Sequence, residues 1–180
     1  MSSFGFGPAS RDEQIVFGAQ RPGYSSKSVG LSDIQEWISF MRKQGIKRVC
    51  CLLPENQMEY YQVNLLDIYR EEFGPDNVCW APVEDFHLCD LATLREKILP
   101  FLEDSDMKGE RVVVHCSGGS GRTGHVLAAW LVFERGFSEK EALKAVRDMG
   151  RNPYEAVNCG NATKEELYEL LRNFRRSNAA

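Results

Sequence analysis

The chain has 180 residues, a formal net charge of −4, and 43% apolar and 27% charged residues. These values are ordinary for one globular domain with a sizeable core. The negative charge argues against a nucleic-acid-binding protein, and no apolar stretch approaches the roughly 20 residues of a membrane helix. We therefore predict a single domain over residues 1–180, with 1–12 as a loose N-terminal arm and 177–180 as a frayed tail.

The six cysteines follow neither a disulfide framework nor a metal-binding spacing, so we expect reduced thiols and no metal. The N-terminal residues lack the basic and apolar segments of a secretory signal. We expect a cytoplasmic monomer whose partners include neither nucleic acid nor membrane.

Short apolar runs that alternate with helical spacing predict an α/β protein. In chain order we predict a strand at 14–18, a helix from an N-cap at Ser32 to Gly45, a strand at 47–53, a helix at 58–73, a strand at 78–83, a helix at 91–104, a strand at 111–115, a helix at 125–135, and two helices that begin at the capping boxes Ser138–Glu141 and Thr163–Glu166. Pro100 should kink or break its helix. The alternation favours a central, mostly parallel sheet of about five strands with helices on both faces.

The segment from Val112 to Gly124 is the most informative part of the sequence. An apolar strand ends at Cys116, a loop of glycines and serines follows, and after Arg122 comes a helical stretch from His125 to Arg135. Glycines permit a tight loop whose backbone N–H groups turn inward, and the helix N-terminus adds further donors for an anion. Arg122 supplies a planar fork that matches two phosphate oxygens.

The positive electrostatic potential from the loop amides, the helix N-terminus and Arg122 favours the ionised form of Cys116. This thiolate is the nucleophilic form. His115 could fix the loop backbone, and Thr123 could donate a hydrogen bond to the sulfur. A glycine-rich turn beside an incidental buried cysteine is the alternative, but it leaves the coincidence of Cys, Arg, Thr and glycines unexplained.

Residues His115 to Gly124, His-Cys-x-x-Gly-x-Gly-Arg-Thr-Gly, resemble the signature of cysteine-dependent tyrosine and dual-specificity phosphatases. Segments 64–69 and 82–85 are similar to cyclin-dependent-kinase-associated phosphatases. The resemblance implies a phosphatase-type loop between a strand and a helix, phosphoprotein substrates carrying phosphotyrosine or phosphoserine and phosphothreonine, a phosphocysteine intermediate, and no cofactor. It makes Cys116 the nucleophile, and it assigns phosphate binding to Ser117, Gly118, Gly119, Ser120, Gly121 and Arg122.

Such an enzyme needs an acid that protonates the leaving oxygen and later activates water. Asp85 lies 31 residues before Cys116, on the loop after strand 78–83, in a position that matches the acid loop of the family. Asp90 is the runner-up, although it fits better as the N-cap of the next helix. A solvated surface carboxylate is the remaining interpretation of Asp85.

The chain departs from the family pattern in segment 151–161, which lacks the glutamine that often orients the attacking water. Asn158 or Asn161 could replace it, although both suit loop capping better. This departure leaves open a phosphate-binding pseudophosphatase module. A phosphatase for inositol phosphate or RNA 5′-phosphate, and a rhodanese-like sulfurtransferase, are further alternatives. The loop contains no lysine, which favours phosphoprotein over inositol lipids.

Several other residues have a structural interpretation as well as a functional one. Arg21 could reach the rim of the site. We interpret His87 as an exposed loop residue and His125 as a residue that packs in the core. The remaining candidates are the arginines 172, 175 and 176, read as a solvated basic face, and the cysteines 51, 79, 89 and 159, any of which could form a disulfide with Cys116.

Overall fold

The computed structural model describes residues 3–176, and its strands form one sheet in the order β1-β2-β5-β3-β4. Strand β1 is antiparallel to β2, whereas the other neighbouring strands are parallel. The strands are β1 (Gly7–Pro8), β2 (Val16–Ala19), β3 (Ile46–Cys51), β4 (Val78–Trp80) and β5 (Arg111–His115). The prediction of a mostly parallel sheet of about five strands is confirmed.

Helices cover both faces of this sheet, as the alternation of elements predicted. Helices α1 and α3 pack on one face, and α5, α6, α7 and α9 pack on the other. The helices are α1 (Leu31–Lys43), α2 (Glu55–Met58), α3 (Leu65–Phe73), α4 (Leu91–Thr93), α5 (Leu99–Lys108), α6 (Gly121–Arg135), α7 (Glu139–Asp148), α8 (Glu155–Asn158) and α9 (Lys164–Arg172).

The central strand β5 is buried on both faces, which explains its unbroken apolar sequence. Val112 and Val114 belong to the cluster that contains Trp130 of α6, while Val113 belongs to the cluster that contains Trp37 of α1. All five of these side chains are fully buried. Burial of each valine contributes about 1.5–3 kcal/mol, so the strand that leads to Cys116 is held firmly.

The parallel arrangement brings the ends of β3, β4 and β5 to one edge of the sheet. Backbone hydrogen bonds continue past β4, where the N–H of Ala81 donates to Cys51 and the N–H of Val83 donates to Leu52. In parallel sheets, ligands bind beyond the carboxyl ends of the strands. The segments that follow β3, β4 and β5 therefore lie close together at this edge.

Several predicted helix boundaries were wrong; α6, for example, begins at Gly121 and not at residue 125. Helix α1 begins at Leu31 after Gly30, without a side-chain cap, so Ser32 is not its N-cap. The predicted helix 58–73 is two helices, α2 and α3, and the second is capped by the Asn64 side chain. The break arises because Tyr61 bridges to Val29, which holds the intervening chain extended.

Pro100 neither breaks its helix nor ends it. It lies in the first turn of α5, directly after a π-helical turn over Leu94–Ile98. A π-turn shifts the hydrogen-bond register, and this accommodates a residue without an N–H donor. Asp90 caps the start of α4, and the two predicted capping boxes at Ser138 and Thr163 are confirmed.

The N-terminal segment packs on the domain from residue 3 onward, contrary to the expected loose arm. Gly7 and Pro8 pair with β2, and Ala9 is fully buried. The predicted frayed tail, 177–180, lies outside the described residues. No helix within residues 3–176 is long and apolar enough to cross a membrane.

Candidate active site

Cys116 lies at the carboxyl end of β5, and a loop over residues 117–120 connects it to α6. Only 3% of the cysteine surface is exposed. Gly119 has a φ of 69°, and a Cβ there would lie 2.5 Å from the carbonyl oxygen of Ala19. The loop is therefore pressed directly on the end of β2, where only glycine fits.

Two side chains, Thr123 and His115, form hydrogen bonds with Cys116. The hydroxyl of Thr123 donates a hydrogen bond to the sulfur at 3.1 Å. His115 is fully buried, with Nδ1 at 3.0 Å from the carbonyl oxygen of Cys116 and Nε2 at 2.9 Å from the hydroxyl of Tyr69. His115 thus fixes the backbone of the loop and does not face the opening.

Two buried arginines, Arg21 and Arg151, donate hydrogen bonds to residues of this loop. Arg21 donates from Nε to the hydroxyl of Ser117 at 3.0 Å, so it reaches the site. Arg151 donates to the carbonyl oxygens of Gly119 at 2.5 Å and Gly18 at 2.9 Å. The sequence analysis missed Arg151, because no local pattern marks a contact that spans 32 residues or more.

Arg122 is 97% buried, and its guanidinium contacts three partners at the mouth of the loop. Nη1 donates to the carbonyl oxygen of Val83 at 3.0 Å and to Oε1 of Gln57 at 2.9 Å. Nη2 lies 3.1 Å from Oδ1 of Asp85. Gln57 contacts Asp85 as well as Arg122, since its Nε2 donates to Oδ2 of Asp85 at 2.8 Å. Gln57 was also missed by the sequence analysis.

The acid loop after β4 holds Asp85 with its side chain 35% exposed. Phe86 follows in a left-handed conformation with a φ of 62°, which is strained for a residue with a side chain. Asn161 donates to the carbonyl oxygen of Phe86 at 3.0 Å. Asp90 instead bonds the backbone and hydroxyl of Thr93, so Asp85 is the carboxylate beside Arg122.

Segment 151–161 closes the side of the site between the two loops. The N–H of Asn152 donates to the hydroxyl of Ser120 at 3.0 Å, and Asn158 accepts from the Asn152 side chain. Asn158 is thus bonded within its own loop, whereas Asn161 holds the acid loop. A Cβ on Gly121 would collide with Oε2 of Glu155, which shows how closely that carboxyl approaches the phosphate-binding loop.

Burial raises the pKa of Glu155, and the nearby charge of Asp85 raises it further, against the opposing effect of Arg122. The sequence analysis did not single out Glu155. Its only signal is that it is the sole carboxylate in segment 151–161.

Burial also lowers the pKa of His115 and of His125 to about 4. His125 does more than pack: its Nε2 accepts from the N–H of Cys89, and its Nδ1 lies 3.0 Å from the carbonyl oxygen of Gly121. These partners fit the neutral ring. His125 therefore links the end of the acid loop to the start of α6.

All six cysteines are free, and five of them are buried. Cys50 and Cys79 are partners in the register of β3 and β4, and the hydrogen bond with Cys79 is the largest of the effects that raise the pKa of Cys50. A disulfide of Cys116 with Cys51, Cys79, Cys89 or Cys159 stays a prediction. Cys159 is exposed.

Residues 41–172 match the family described as the dual specificity phosphatase catalytic domain. The chain belongs to this family. Dual specificity protein phosphatase 5 of Homo sapiens is 32% identical over 68 residues, which cover 38% of this chain and 18% of that protein. The putative tyrosine phosphatase 123R of invertebrate iridescent virus 6 is 27% identical over 79 residues, which cover 44% of this chain and 55% of the viral protein.

Solved phosphatase structures share the fold over most of the chain. The active form of Tk-PTP is 26% identical and superposes with a TM-score of 0.66, covering 93% of this chain and 96% of that chain. Kinase associated phosphatase, with its catalytic cysteine replaced by serine, is 24% identical with a TM-score of 0.68, covering 91% and 87%. These likenesses extend over the dual-specificity phosphatase domain as a whole, whereas the matches to the curated relatives are partial.

Proposed function

We propose that this dual-specificity phosphatase domain hydrolyses phosphotyrosine in proteins through a phosphocysteine on Cys116. The observation that carries the proposal is the contact of Arg122 with Asp85 at 3.1 Å beside the glycine-rich loop of Cys116. A nucleophile, a phosphate-binding cation and a carboxyl group at one strand edge are the groups that phosphoryl transfer through cysteine requires.

In the first step, the thiolate of Cys116 attacks phosphorus, so that the S–P bond forms while the bond from phosphorus to the ester oxygen breaks. Arg122 and the N–H groups of residues 117–122 hold the other phosphate oxygens as charge redistributes. Asp85 donates its proton to the leaving oxygen, which departs as a neutral phenol. Nη1 of Arg122 is occupied by Val83 and Gln57, so Nε and the remaining hydrogen of Nη2 are the donors available to a phosphate.

In the second step, water attacks the phosphocysteine, and Asp85 takes the proton of that water. The S–P bond breaks, and Cys116 leaves as a thiolate with the hydrogen bond from Thr123 to stabilise it. The energetic demand on the site is large, because uncatalysed phosphate monoester hydrolysis is among the slowest of biological reactions. Positioning and fixed dipoles supply the acceleration.

Two exposed aromatic residues support phosphotyrosine as the substrate. Tyr24 and Phe86 are each 47% exposed, and they border the site on the loop side and the acid side. The ring of Tyr24 lies over Gly118, while Phe86 follows Asp85 directly. A phenyl ester can stack between such rings and still reach the buried Cys116, whereas a serine ester has no ring to stack.

A phosphoprotein partner fits the printed name of the human relative, a dual specificity protein phosphatase. We further propose a cytoplasmic location, because six free thiols suit a reducing compartment. We also propose that the domain acts as a monomer. Inositol phosphates and RNA 5′-phosphates have no comparable support among the contacts of the site.

The test is hydrolysis of para-nitrophenyl phosphate in excess EDTA by the native chain and by Cys116→Ser. We expect metal-independent turnover that the substitution abolishes. A native chain that binds a phosphotyrosine peptide without releasing phosphate would instead be a binding module. Inositol phosphate and 5′-triphosphate RNA, assayed in parallel, should be poorer substrates than phosphotyrosine peptide.

A further inference from the structure

A groove of about 390 Å³ lies between α7 and α9, where Tyr154 of segment 151–161 also lines it. Lys140, Lys144 and Arg147 occupy one face of α7, because they are four and three residues apart. Lys164, at the start of α9, places its ammonium group 5.9 Å and 5.8 Å from the centres of two tyrosine rings. The lining residues of this α7 groove are Lys140, Lys144, Arg147, Asp148, Tyr154 and Tyr168.

Most of the positive charge at the α7 groove has no carboxylate partner. Lys144 pairs with Asp148 at 2.7 Å. Within residues 3–176, no carboxylate lies within ion-pair distance of Lys140, Arg147 or Lys164. Three unpaired cations around two aromatic rings form a surface that favours an anionic ligand.

The C-terminal arginines differ from the cations of the α7 groove, because they are paired. The sequence analysis expected Arg172, Arg175 and Arg176 to form a solvated basic face, yet each pairs with at least one glutamate. A chain with a net charge of −4 has enough carboxylates to neutralise its cations. Among the residues that line the α7 groove, three cations stand against one carboxylate, Asp148, so the groove itself has a local excess of positive charge.

The α7 groove is adjacent to the proposed active site. Tyr154 lines the groove, and the next residue, Glu155, lies against Gly121 of the phosphate-binding loop. The row from Lys140 to Arg147 is about 10 Å long at 1.5 Å per helical residue. An extended peptide covers about 3.3 Å per residue, so about three residues can span this row.

We propose that the α7 groove binds an acidic segment of the phosphoprotein substrate, which lies a few residues from the phosphotyrosine. This inference rests on the proposed function and adds a substrate class to it. The acidic groups can be Asp and Glu carboxylates or a second phosphate, because Arg147 and the lysines bind either anion. A long nucleic acid fits less well, since it would extend from a small basic row onto an acidic surface.

The test compares kcat/KM for three phosphotyrosine peptides that differ only beside the tyrosine: a neutral flank, a Glu-rich flank and a flank with phosphoserine. The groove variant is Lys140→Ala with Lys164→Ala. The matched control is Lys43→Ala with Lys47→Ala, which removes the same charge near the amino end of β3, at the opposite edge of the sheet. The readout is the kcat/KM of each acidic peptide divided by the kcat/KM of the neutral peptide, both measured with the same variant.

We expect the native chain and the control to prefer an acidic peptide about three- to tenfold, since an exposed ion pair changes an equilibrium by a few-fold. The groove variant should lose this preference, and 1 M salt should remove it from all three proteins because the Debye length falls to about 3 Å. A preference for only one acidic peptide would identify carboxylate or phosphate as the ligand. Equal ratios in native and groove variants, or an equal loss in the control, would overturn the proposal.

A second measurement separates this proposal from the proposed function. Binding of an unphosphorylated, fluorescently labelled Glu-rich peptide needs no catalysis, and we expect the groove variant to bind it about three- to tenfold more weakly than the control does. If para-nitrophenyl phosphate is not hydrolysed while this difference persists, the groove proposal stands and the proposed function fails. If the groove variant loses affinity only for a single-stranded RNA oligonucleotide, the groove proposal is wrong.

Discussion

Asp85 and Arg122, which are 37 residues apart in sequence, lie 3.1 Å apart at the mouth of the phosphate-binding loop. Gln57 bonds both, so the three side chains form a closed set of polar contacts. The arrangement preorients the guanidinium before phosphate arrives, and it places the carboxyl group where a leaving oxygen would emerge. In the proposed mechanism, phosphate binding by Arg122 and positioning of Asp85 as the acid are therefore coupled.

Asp85→Asn should lower kcat for a phosphotyrosine peptide about 10²- to 10⁴-fold, because the leaving oxygen loses its proton donor. The loss should be smaller for para-nitrophenyl phosphate, whose leaving group is stable as an anion. Steady-state kinetics on both substrates check this. Asp90→Asn is the control, since Asn caps a helix as well as Asp does, and this variant should keep the native kcat. Equal losses in the two variants would contradict the assignment of Asp85.

Gln57→Ala should lower kcat/KM about ten- to a hundredfold, because hydrogen bonds to two charged groups are lost at a buried position. Inhibition by inorganic phosphate should weaken in parallel, since Arg122 is no longer held in place. Gln62→Ala is a matched control: its amide bonds the Ser28 hydroxyl at an exposed position. A Gln57→Ala variant with native phosphate affinity would show that Arg122 does not need this support.

Thr123→Val should slow the second step more than the first, because the departing thiolate loses its hydrogen bond. Rapid mixing with para-nitrophenyl phosphate should then show a burst of nitrophenol followed by slow turnover. Loss of one such donor costs about 1.5–3 kcal/mol, or about ten- to a hundredfold in rate. Thr123→Ser, which keeps the hydroxyl, should restore turnover, and equal rates for the Val and Ser variants would contradict this role.

Stability should fall as the pH drops below neutrality, because His115 and His125 are buried as neutral rings. Their pKa values in the folded protein are about 4, below the value of about 6.5 in an unfolded chain. Between these values the unfolded state binds more protons, so the folded state is fully favoured above about pH 6.5 and loses stability toward pH 4. Each histidine contributes about 3 kcal/mol to this loss.

Urea unfolding at pH 7.5 and pH 5 measures the effect. His125→Gln should have a shallower pH dependence than the native chain, because one of the two buried rings is gone. His87→Gln, at a half-exposed position on the acid loop, is the surface comparison for the same substitution. A native slope in His125→Gln would show that His125 does not stay neutral in the fold.

Gly119→Ala should destabilise the protein by about 2 kcal/mol or more and abolish activity. The new Cβ would meet the backbone of Ala19 at 2.5 Å, and the positive φ strains any side chain. Gly118→Ala is the comparison, because its Cβ would lie 3.4 Å from the Tyr24 hydroxyl, which can move. Similar melting temperatures for the two variants would show that the loop is more adaptable than its packing indicates.

The sequence predicts the strand, loop and helix around Cys116 well because the relevant information is local. Strand, glycine-rich loop, Arg122 and helix follow one another within Val112 to Gly124, and backbone amides need no distant partner. Asp85 could be proposed because its position after β4 matches a family motif. The sheet was predictable for a related reason, since unbroken apolar runs indicate strands buried on both faces.

The supporting contacts could not be predicted in the same way. Gln57 meets Arg122 across 65 residues, and Arg151 meets Gly119 across 32, so neither pairing leaves a periodic signal. The split of helix 58–73 depends on the bridge from Tyr61 to Val29, which is equally non-local. Tertiary contacts of this kind override local spacing, and they also determine how the site is held.

The most direct test of the central claim is a rapid acid quench of the native chain with a phosphotyrosine peptide, followed by peptide mass spectrometry. The account predicts one phosphoryl group on the peptide that contains Cys116, formed before phosphate is released and absent in Cys116→Ser. Turnover without any phosphoryl group on Cys116, or the same phosphopeptide from Cys116→Ala, would contradict a mechanism through phosphocysteine.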